Sequence, residues 1–320
     1  MIRLSDNRFD ALCEAERYNA ELDQWYAQGL ADKGPKPGTI GALVVRYLSD
    51  DAFTRLADRT KRDYRQHLEL IRDWAGDKPV KSVTRPAVQA FRRGMADKKW
   101  RANSILRTLR VLLQFAVDEG EIDQNPAAKF RQFHTPPRQA LWSHEQEERF
   151  LATARKMGRP SMVLAYALGV YTAQRSGDVV KLAWSAYDGQ ALKIRQGKTK
   201  KLLEIPVFSA LKVLLDTSNR TSTQILVSEA TNKPYSEHHF RHTFARVMKA
   251  AGIEGLRYHD LRRTAVVRLA EAGATVPWIT AITGHATDEC ERIIETYMPR
   301  TRRMAEEAVK LMESYYRRQQ

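Results

Sequence analysis

Two proline-containing breaks interrupt a hydrophobic pattern that is otherwise helical along almost the whole chain. The breaks are GPKPG at residues 34–38 and TPPRQ at residues 135–139, and clusters of proline and glycine end helices. A length of 320 residues fits about two domains. The breaks therefore predict a helical appendage with its linker at 1–36, a first domain at 37–132, an interdomain linker at 133–142 and a second domain at 143–320.

The first domain is predicted to be all-helical. Apolar residues recur three and four positions apart, as with Leu68 and Ile71 in RTKRDYRQHLELIRDWAG. Thr39 stands where it would cap a helix, and Pro86 stands in a first turn, where its missing N–H costs little. We expect four helices here.

The second domain is predicted to be mostly helical with one small antiparallel sheet. Ser143 and Gln146 have the spacing of a capping box at the start of its first helix. ALKIR and KLLEIPV read as the two arms of a hairpin around the basic turn QGKTK. A last helix from about Arg302 to Arg318 carries an apolar stripe, which would either join the core or dock on another protomer.

The charge of the chain predicts a polyanionic partner. Lys and Arg number 53 against 38 Asp and Glu, a net charge of +15, and such an excess attracts nucleic acid. The alternatives are a generally basic protein or a membrane-surface protein, which the spread of charge along the chain disfavours. The helix faces of the first domain supply the candidate phosphate contacts, namely Arg92, Arg93, Lys98, Lys99, Arg101, Arg107 and Arg110.

Other features exclude several classes of protein. No apolar run approaches the ~20 residues of a membrane span, and the start MIRLSDNRFD lacks the apolar core of a signal peptide. Cys13 and Cys290 fit no metal-ligand spacing. We therefore expect a soluble protein of a reducing, cytoplasmic compartment, with no membrane partner.

Two basic positions in the second domain suit an anion. Arg175 follows an apolar helix in YTAQRSGDVVKL, and Ser176 is expected to cap the next helix, so a guanidinium would stand beside free N–H groups. The alternative is a structural arginine paired with Asp178. Lys198 lies in the hairpin turn, where it would contribute to a site if the turn folds over one. The alternative is that Lys198 is only an exposed surface charge.

Two further motifs follow along the chain. His259 and Arg262 in YHDLRRT are three residues apart and share a helix face, which suits an anion held between them. His285 comes directly after the glycine that ends a short helix in ITGH. Tyr297 in ETYMPR is either a nucleophile or a core residue packed on the isoleucines three and four positions before it.

Taken in order, these motifs resemble those of the tyrosine recombinase, or phage integrase, family. The matching segments are TAQRSGDVVKLAW, QGKTKKLLEIPV, HDLRRT, ITGH and ETYMPR, and GEIDQNPA resembles the end of that family's core-binding domain. The resemblance covers roughly residues 39–300. It implies a mainly α fold, with an all-α core-binding (SAM-like) domain followed by a mostly α catalytic domain that contains a small antiparallel sheet.

The resemblance also implies a mechanism of DNA strand cleavage. Arg175 and Arg262 would hold the scissile phosphate, and His285 would hydrogen-bond to it. Tyr297 would attack and form a 3′-phosphotyrosyl link while His259 accepts its proton, and Lys198 would protonate the leaving 5′ oxygen. No cofactor or metal is expected, because the arginines stabilise the charge that a metal ion would otherwise stabilise.

The family's partners and cellular setting follow from the same resemblance. We expect double-stranded DNA, a homotetramer on two DNA sites, and a directionality factor (excisionase) or host DNA-bending protein, in a bacterial cytoplasm at the nucleoid. The reaction would integrate or excise a mobile element. The alternatives are a catalytically inert DNA-binding relative and a type IB topoisomerase.

Three departures from the family pattern stand out. Ala173 occupies a position where the family usually has glycine, and Asp178 one where glutamate is usual. The interval from His285 to Tyr297 is 12 residues, longer than the common one. It indicates an extra helical turn before the tyrosine.

Overall fold

The computed structural model describes residues 14, 17, 34–136, 138–298 and 302–318. The chain divides into two compact units between residues 137 and 138. This division falls inside the segment 133–142 that the sequence predicts to be a linker. Most of the predicted appendage at 1–36 lies outside the described residues.

The first unit is all-helical in its described part, as the sequence predicts. The Thr39 hydroxyl accepts a hydrogen bond from the Ala42 N–H and caps the first helix, and Thr84 caps the helix that contains Pro86 in its first turn. The helices are α1 (Ile40–Ser49), α2 (Asp51–Thr54), α3 (Asp58–Ala75), α4 (Arg85–Gly94) and α5 (Lys99–Asp118).

The core of this unit lies between α3 and α5, with α1 packed on both. Leu68 and Ile71 of α3 are buried, as their helical spacing predicts, and α5 contributes Leu106, Leu109 and Leu113. Burying side chains of this size contributes roughly 1.5–3 kcal/mol each. The unit therefore has a core of its own.

The basic residues predicted to meet phosphate keep their charges at the surface of the first unit. Six of the seven side chains are exposed. Arg92 is half-buried, and its guanidinium lies 3.8 Å from the centroid of the Phe133 ring. In a cation–π contact of this kind the guanidinium keeps its charge while it covers the face of the aromatic ring.

The second unit is mostly helical. Its first helix begins at the predicted capping box of Ser143 and Gln146. The helices are α6 (His144–Lys156), α7 (Pro160–Thr172), α8 (Ser176–Val180), α9 (Ser209–Thr217), α10 (Glu237–Ala250), α11 (Asp260–Glu271), α12 (Val276–Thr283), α13 (Thr287–Tyr297) and α14 (Arg302–Arg317).

Helix α7 forms the centre of this unit and is buried on almost every side. Helices α6, α9 and α11 pack around it. Across the described ranges, no helix combines the length and the apolar character needed to cross a membrane.

The predicted hairpin is present as a two-stranded antiparallel sheet. Strands β1 (Ala191–Arg195) and β2 (Leu202–Pro206) pair with Ile194 opposite Leu203. The alternation of buried and exposed residues along β1 packs one face on the core. The mainly α fold class with a small antiparallel sheet is therefore confirmed.

Candidate active site

The first arginine of the site lies at the junction between α7 and α8. Helix α7 ends at Thr172, and Ala173 follows in the left-handed region with φ 55°. Arg175 is then the N-cap residue of α8, with extended backbone. The prediction that Ser176 caps this helix is wrong by one residue, because the turn at Ala173 brings Arg175 to the point where the helix begins. A left-handed residue with a Cβ costs roughly 1–2 kcal/mol, which explains why glycine suits this position.

Among the residues that the structure describes, Arg175 has no carboxylate partner. Its Nη1 atom is buried without a hydrogen-bond acceptor. The structural pair with Asp178 that the sequence left open is not formed: the Asp178 Oδ1 atom instead accepts from the main-chain N–H of Gly197 at 2.8 Å. A buried guanidinium N–H without an acceptor is costly, and an anion would satisfy it.

Arg262 is the most constrained side chain of the site, and 3% of it is exposed. Its Nη1 donates to the carbonyls of Ala173 at 2.7 Å and Thr283 at 2.5 Å, and its Nε donates to Nε2 of His285 at 2.9 Å. Burial, followed by the nearby charge of Arg175, lowers the pKa of Arg262 to about 10, so it remains a cation at neutral pH. Its Nη2 is buried without an acceptor.

His285 uses both ring nitrogens inside the protein. The guanidinium Nε of Arg262 is only a donor, so His285 Nε2 must accept, and Nδ1 carries the proton and donates to the Thr283 hydroxyl at 2.9 Å. Burial, then the charges of Arg262 and Arg175, lowers the pKa of His285 to about 3. His285 is therefore neutral and orients Arg262. In this arrangement neither ring nitrogen remains to donate to a phosphate.

His259 is the N-cap residue of α11 and is exposed. Partial desolvation is the largest cause that lowers its pKa, followed by the repulsive charges of Arg262 and Arg263, while Asp260 acts in the opposite sense. A neutral imidazole at pH 7 is the form that accepts a proton.

Lys198 lies in the exposed turn between β1 and β2. The base of this turn is fixed, because the main-chain N–H of Gly197 donates a hydrogen bond to the carboxylate of Asp178 on α8. Lys201, which sequence reasoning did not single out, donates from Nζ to the carbonyl of His285 at 3.3 Å. The turn is therefore held against the arginine–histidine cluster at its base, while the Lys198 side chain stays in solvent.

Tyr297 is the last residue of α13 and is half-buried. Its hydroxyl donates to the main-chain carbonyl of Arg138 at 2.8 Å, and the guanidinium of Arg263 lies 5.7 Å from its ring centroid. Ile293 and Ile294 pack against a small apolar cluster to which Tyr297 does not belong, so the core interpretation fails. Within the described residues the structure gives the phenol no hydrogen bond to either arginine of the cluster.

Several residues of the site were not found by sequence reasoning. Arg138 holds the buried carboxylate of Asp260 through Nε at 3.0 Å and Nη2 at 2.8 Å, and thereby fixes the carbonyl that binds Tyr297. Gln174 and Gln196 form a buried amide pair. Such residues carry no periodic signal, since their partners are distant in sequence.

Two segments of the chain match models of known protein-family domains. Residues 142–298 match the phage integrase family, and residues 45–120 match the phage integrase N-terminal SAM-like domain. Together these regions cover more than two thirds of the chain.

Similar proteins of known name agree with these matches. The integrase of Enterobacteria phage 434 is 26% identical over 265 residues, which cover 78% of this chain and 74% of the relative. The integrase of Escherichia phage lambda gives the same four values. The integrase of Mycobacterium phage L5 is 25% identical over 88% of this chain and 82% of its own length.

Solved structures show the same architecture. A lambda integrase dimer bound to a core site aligns with a TM-score of 0.69 at 25% identity, over 78% of this chain and 96% of that one. A lambda integrase tetramer bound to a Holliday junction gives 0.70 at 24% identity, over 90% and 88%. The Tn1549 transposon integrase in complex with circular intermediate DNA gives 0.71 at 16% identity, over 85% and 99%, a likeness of fold alone.

The family matches, the shared fold and the arginine–histidine cluster lead to one conclusion. This chain belongs to the phage integrase family of tyrosine recombinases, the enzymes that break and rejoin DNA strands in site-specific recombination.

Proposed function

We propose that this chain integrates or excises a mobile element, and that it cleaves DNA by attack of Tyr297 on a phosphodiester. The observation that carries the proposal is the pair of buried guanidinium nitrogens, Nη1 of Arg175 and Nη2 of Arg262, that have no acceptor in the described part of the chain. A tetrahedral phosphate offers acceptors to both at once. Buried arginines also stabilise the charge that builds up on the non-bridging oxygens during attack.

His285 contributes to this site through Arg262. Its neutral ring accepts from Arg262 Nε and so fixes the plane of the guanidinium. The role assigned to it by resemblance, a direct hydrogen bond to phosphate, would require the Thr283 contact to break, or the Arg262 contact to break and the ring proton to move to Nε2. We therefore assign His285 the positioning of Arg262 as its first role.

We assign the role of nucleophile to Tyr297 and that of its base to His259. The phenol donates to the Arg138 carbonyl, and a phenolate could not make that bond. Attack therefore requires the phenol to leave the Arg138 carbonyl, and we assign its proton to the neutral imidazole of His259. The phenolate oxygen then bonds to phosphorus, the bond from phosphorus to O5′ breaks, and a 3′-phosphotyrosyl link results.

The leaving O5′ needs a proton, which we assign to Lys198. Its turn is anchored at Gly197 and exposed beyond it, so the ammonium group can reach a DNA strand lying over the cluster. Religation reverses the step: a 5′-hydroxyl returns its proton to the neutral lysine and attacks phosphorus, the bond from phosphorus to the Tyr297 oxygen breaks, and the phenolate regains its proton from His259. The bond energy is retained in the phosphotyrosine, and no nucleotide hydrolysis is needed.

Duplex DNA is the partner, and four chains on two sites are the assembly that we propose. The lambda integrase tetramer on a Holliday junction supports this arrangement. Helix α14 also supports it, since large apolar side chains remain exposed along it, namely Val309, Leu311, Met312, Tyr315 and Tyr316. An excisionase or a host DNA-bending protein would set the direction of the reaction at the bacterial nucleoid.

Covalent trapping tests the proposal. The wild type, Tyr297→Phe and the matched control Tyr315→Phe are incubated with nicked duplexes from a library of candidate attachment sites, then denatured in SDS. We expect a DNA adduct for the wild type and for Tyr315→Phe, mapped to Tyr297, and none for Tyr297→Phe. The attached DNA then identifies the target site.

Other outcomes would contradict the assignment. An adduct on a different tyrosine would show that Tyr297 is not the nucleophile. Tight duplex binding with no adduct on any site in a library that contains the true attachment site would show an inert relative. Relaxation of supercoiled DNA without a specific site would show a topoisomerase.

A further inference from the structure

We propose that Gln196 is a positioning residue for DNA cleavage, which holds the turn that carries Lys198 in register with the two arginines. The inference rests on the proposed role of Lys198 as the acid that protonates O5′. It concerns how a lysine on an exposed turn acquires a defined position. The side chain of Gln196 is fully buried, at 0% exposure, although it stands at the start of that turn.

Gln196 links the turn to the end of α12. Its Nε2 donates to the carbonyl of Thr283 at 3.0 Å. The same carbonyl accepts from Nη1 of Arg262, and the hydroxyl of Thr283 accepts from His285. One residue of α12 therefore binds the turn, the buried arginine and the histidine that orients it.

Gln196 also links the turn to the junction that carries Arg175. The second Nε2 hydrogen reaches Oε1 of Gln174 at 2.7 Å, and Gln174 directly precedes Arg175. Gln174 is itself fixed, because its Nε2 donates to the carbonyls of Thr172 at 2.7 Å and Ile282 at 3.0 Å. Both amide hydrogens of Gln196 are therefore used, one on each side of the cluster.

The oxygen of Gln196 sets the shape of the turn itself. It accepts from the hydroxyl of Thr199 at 2.6 Å, and Thr199 is the neighbour of Lys198. The main chain of Gln196 closes the turn at both ends, by bonds with Lys200 and Lys201 of 2.9 Å each. The side chain of Gln196 thus sits between a fixed cluster and the residues on either side of the lysine.

The close approach of Gly284 confirms how tightly this amide is enclosed. Gly284 has φ 67°, and a Cβ at this position would lie 2.6 Å from Nε2 of Gln196. A buried amide with every hydrogen engaged has a single orientation, because any rotation leaves polar groups unpaired. The turn therefore has one position relative to Arg262, and so does the main chain from which the Lys198 side chain extends.

The consequence for the reaction concerns the proton on the leaving group. When the bond between phosphorus and O5′ breaks, the oxygen takes a proton from the Lys198 ammonium and the lysine becomes neutral. Loss of the Gln196 contacts would displace the ammonium and slow this step. If sulfur replaces O5′, the leaving group is a thiolate whose conjugate acid has a pKa near ~8.5, and the reaction no longer needs the proton.

The test compares single-turnover cleavage of two nicked substrates, one with O5′ and one with sulfur at that position. Gln196→Ala is expected to cleave the oxygen substrate about 10- to 100-fold more slowly than the wild type and to recover most of the rate on the sulfur substrate. The matched control is Gln190→Ala. Gln190 is an exposed glutamine that directly precedes strand β1, away from the turn that carries Lys198. This variant should cleave both substrates at the wild-type rate.

A second pair of variants keeps the test independent of folding. Thr199 is exposed, and Thr199→Val removes the hydroxyl that donates to Gln196. This variant should cleave the oxygen substrate more slowly and recover its rate on the sulfur substrate, with smaller changes than Gln196→Ala. Thr199→Ser retains the hydroxyl and should restore the rate on the oxygen substrate. Equal affinity for the duplex in all variants would exclude a binding defect.

Lys198→Ala separates this inference from the function on which it rests. If sulfur fails to rescue Lys198→Ala, the assignment of the acid is wrong. If sulfur rescues Lys198→Ala but not Gln196→Ala, Lys198 is the acid and the positioning role of Gln196 is wrong. Rescue of both variants, with Gln190→Ala unaffected, supports the proposal.

Discussion

The buried neutral state of His285 makes the stability of the second unit depend on pH. Its pKa is about 3 in the folded chain, against ~6.5 for a histidine in an unfolded chain. Between these two values the unfolded chain binds a proton that the folded chain does not bind. Stability therefore falls as the pH falls from about 6.5 towards 3.

The size of the effect at pH 5 follows from the linkage relation. An unfolded histidine is then almost fully protonated, 1.5 pH units below its pKa, and each unit corresponds to ~1.36 kcal/mol. His285 should therefore lower the free energy of unfolding by about 2 kcal/mol between pH 7 and pH 5. This magnitude holds for any folded pKa well below 5.

The perturbation is His285→Gln, whose amide oxygen can still accept from Arg262 but does not titrate in this range. The assay is urea denaturation at pH 7, 6 and 5, followed by the fluorescence of the buried Trp142 and Trp184 in the second unit. The wild type should lose about 2 kcal/mol more than the variant between pH 7 and pH 5. His259, whose pKa is also lowered, remains in both proteins and cancels in the comparison.

Two results would refute this reasoning. Parallel loss of stability in the wild type and His285→Gln would show that His285 protonates equally in both states. Direct titration of the His285 ring near pH 6 by NMR would show that Nε2 does not accept from Arg262. The assigned tautomer would then be wrong.

Four further predictions concern the site, the fold and the assembly. Arg262→Lys loses the planar fork and should lower single-turnover cleavage of nicked DNA by roughly 10²–10³-fold with duplex affinity retained; a loss under tenfold would contradict the phosphate role. Gly284→Ala should destabilise the chain by at least ~1–2 kcal/mol in urea denaturation, because it places a Cβ in left-handed backbone against Gln196. Ser143→Ala removes a capping box and should cost about 1 kcal/mol in the same assay, whereas Ser143→Thr should not. Leu311→Asp should abolish strand exchange between two sites yet leave the tyrosyl adduct intact, which separates assembly from chemistry.

The fold could be predicted well where local signals agree. The cap at Thr39, the box at Ser143, the proline at Pro86 and the alternation around the basic hairpin each act within a few residues, so they can be read without tertiary information. The boundary at Ser176 was missed by one residue. The left-handed conformation of Ala173 depends on packing, and its one sign in the sequence is that the family usually has glycine at this position.

The sequence proposes a candidate site by residue type and order, but it does not predict the contacts inside that site. It places arginine, lysine, histidine and tyrosine in the succession that the family resemblance implies, and it indicates an anion. It does not indicate that both ring nitrogens of His285 form hydrogen bonds within the protein, nor that Tyr297 donates to the carbonyl of Arg138. The contacts of His285 with Arg262 and of Tyr297 with Arg138 join residues 23 and 159 positions apart.

The sequence alone determined the helical architecture, the basic character and the set of reactive groups, since each depends on composition and on spacing within a few turns. The tertiary structure alone decided which of those groups is buried, which donors stay unsatisfied and where each proton resides. Burial and long-range hydrogen bonds fix the charge state of a residue, and neither exists until distant segments pack together. The hydrogen bonds of the Gln196 amide are likewise decided by the tertiary structure, because they join three segments that meet only in the folded chain.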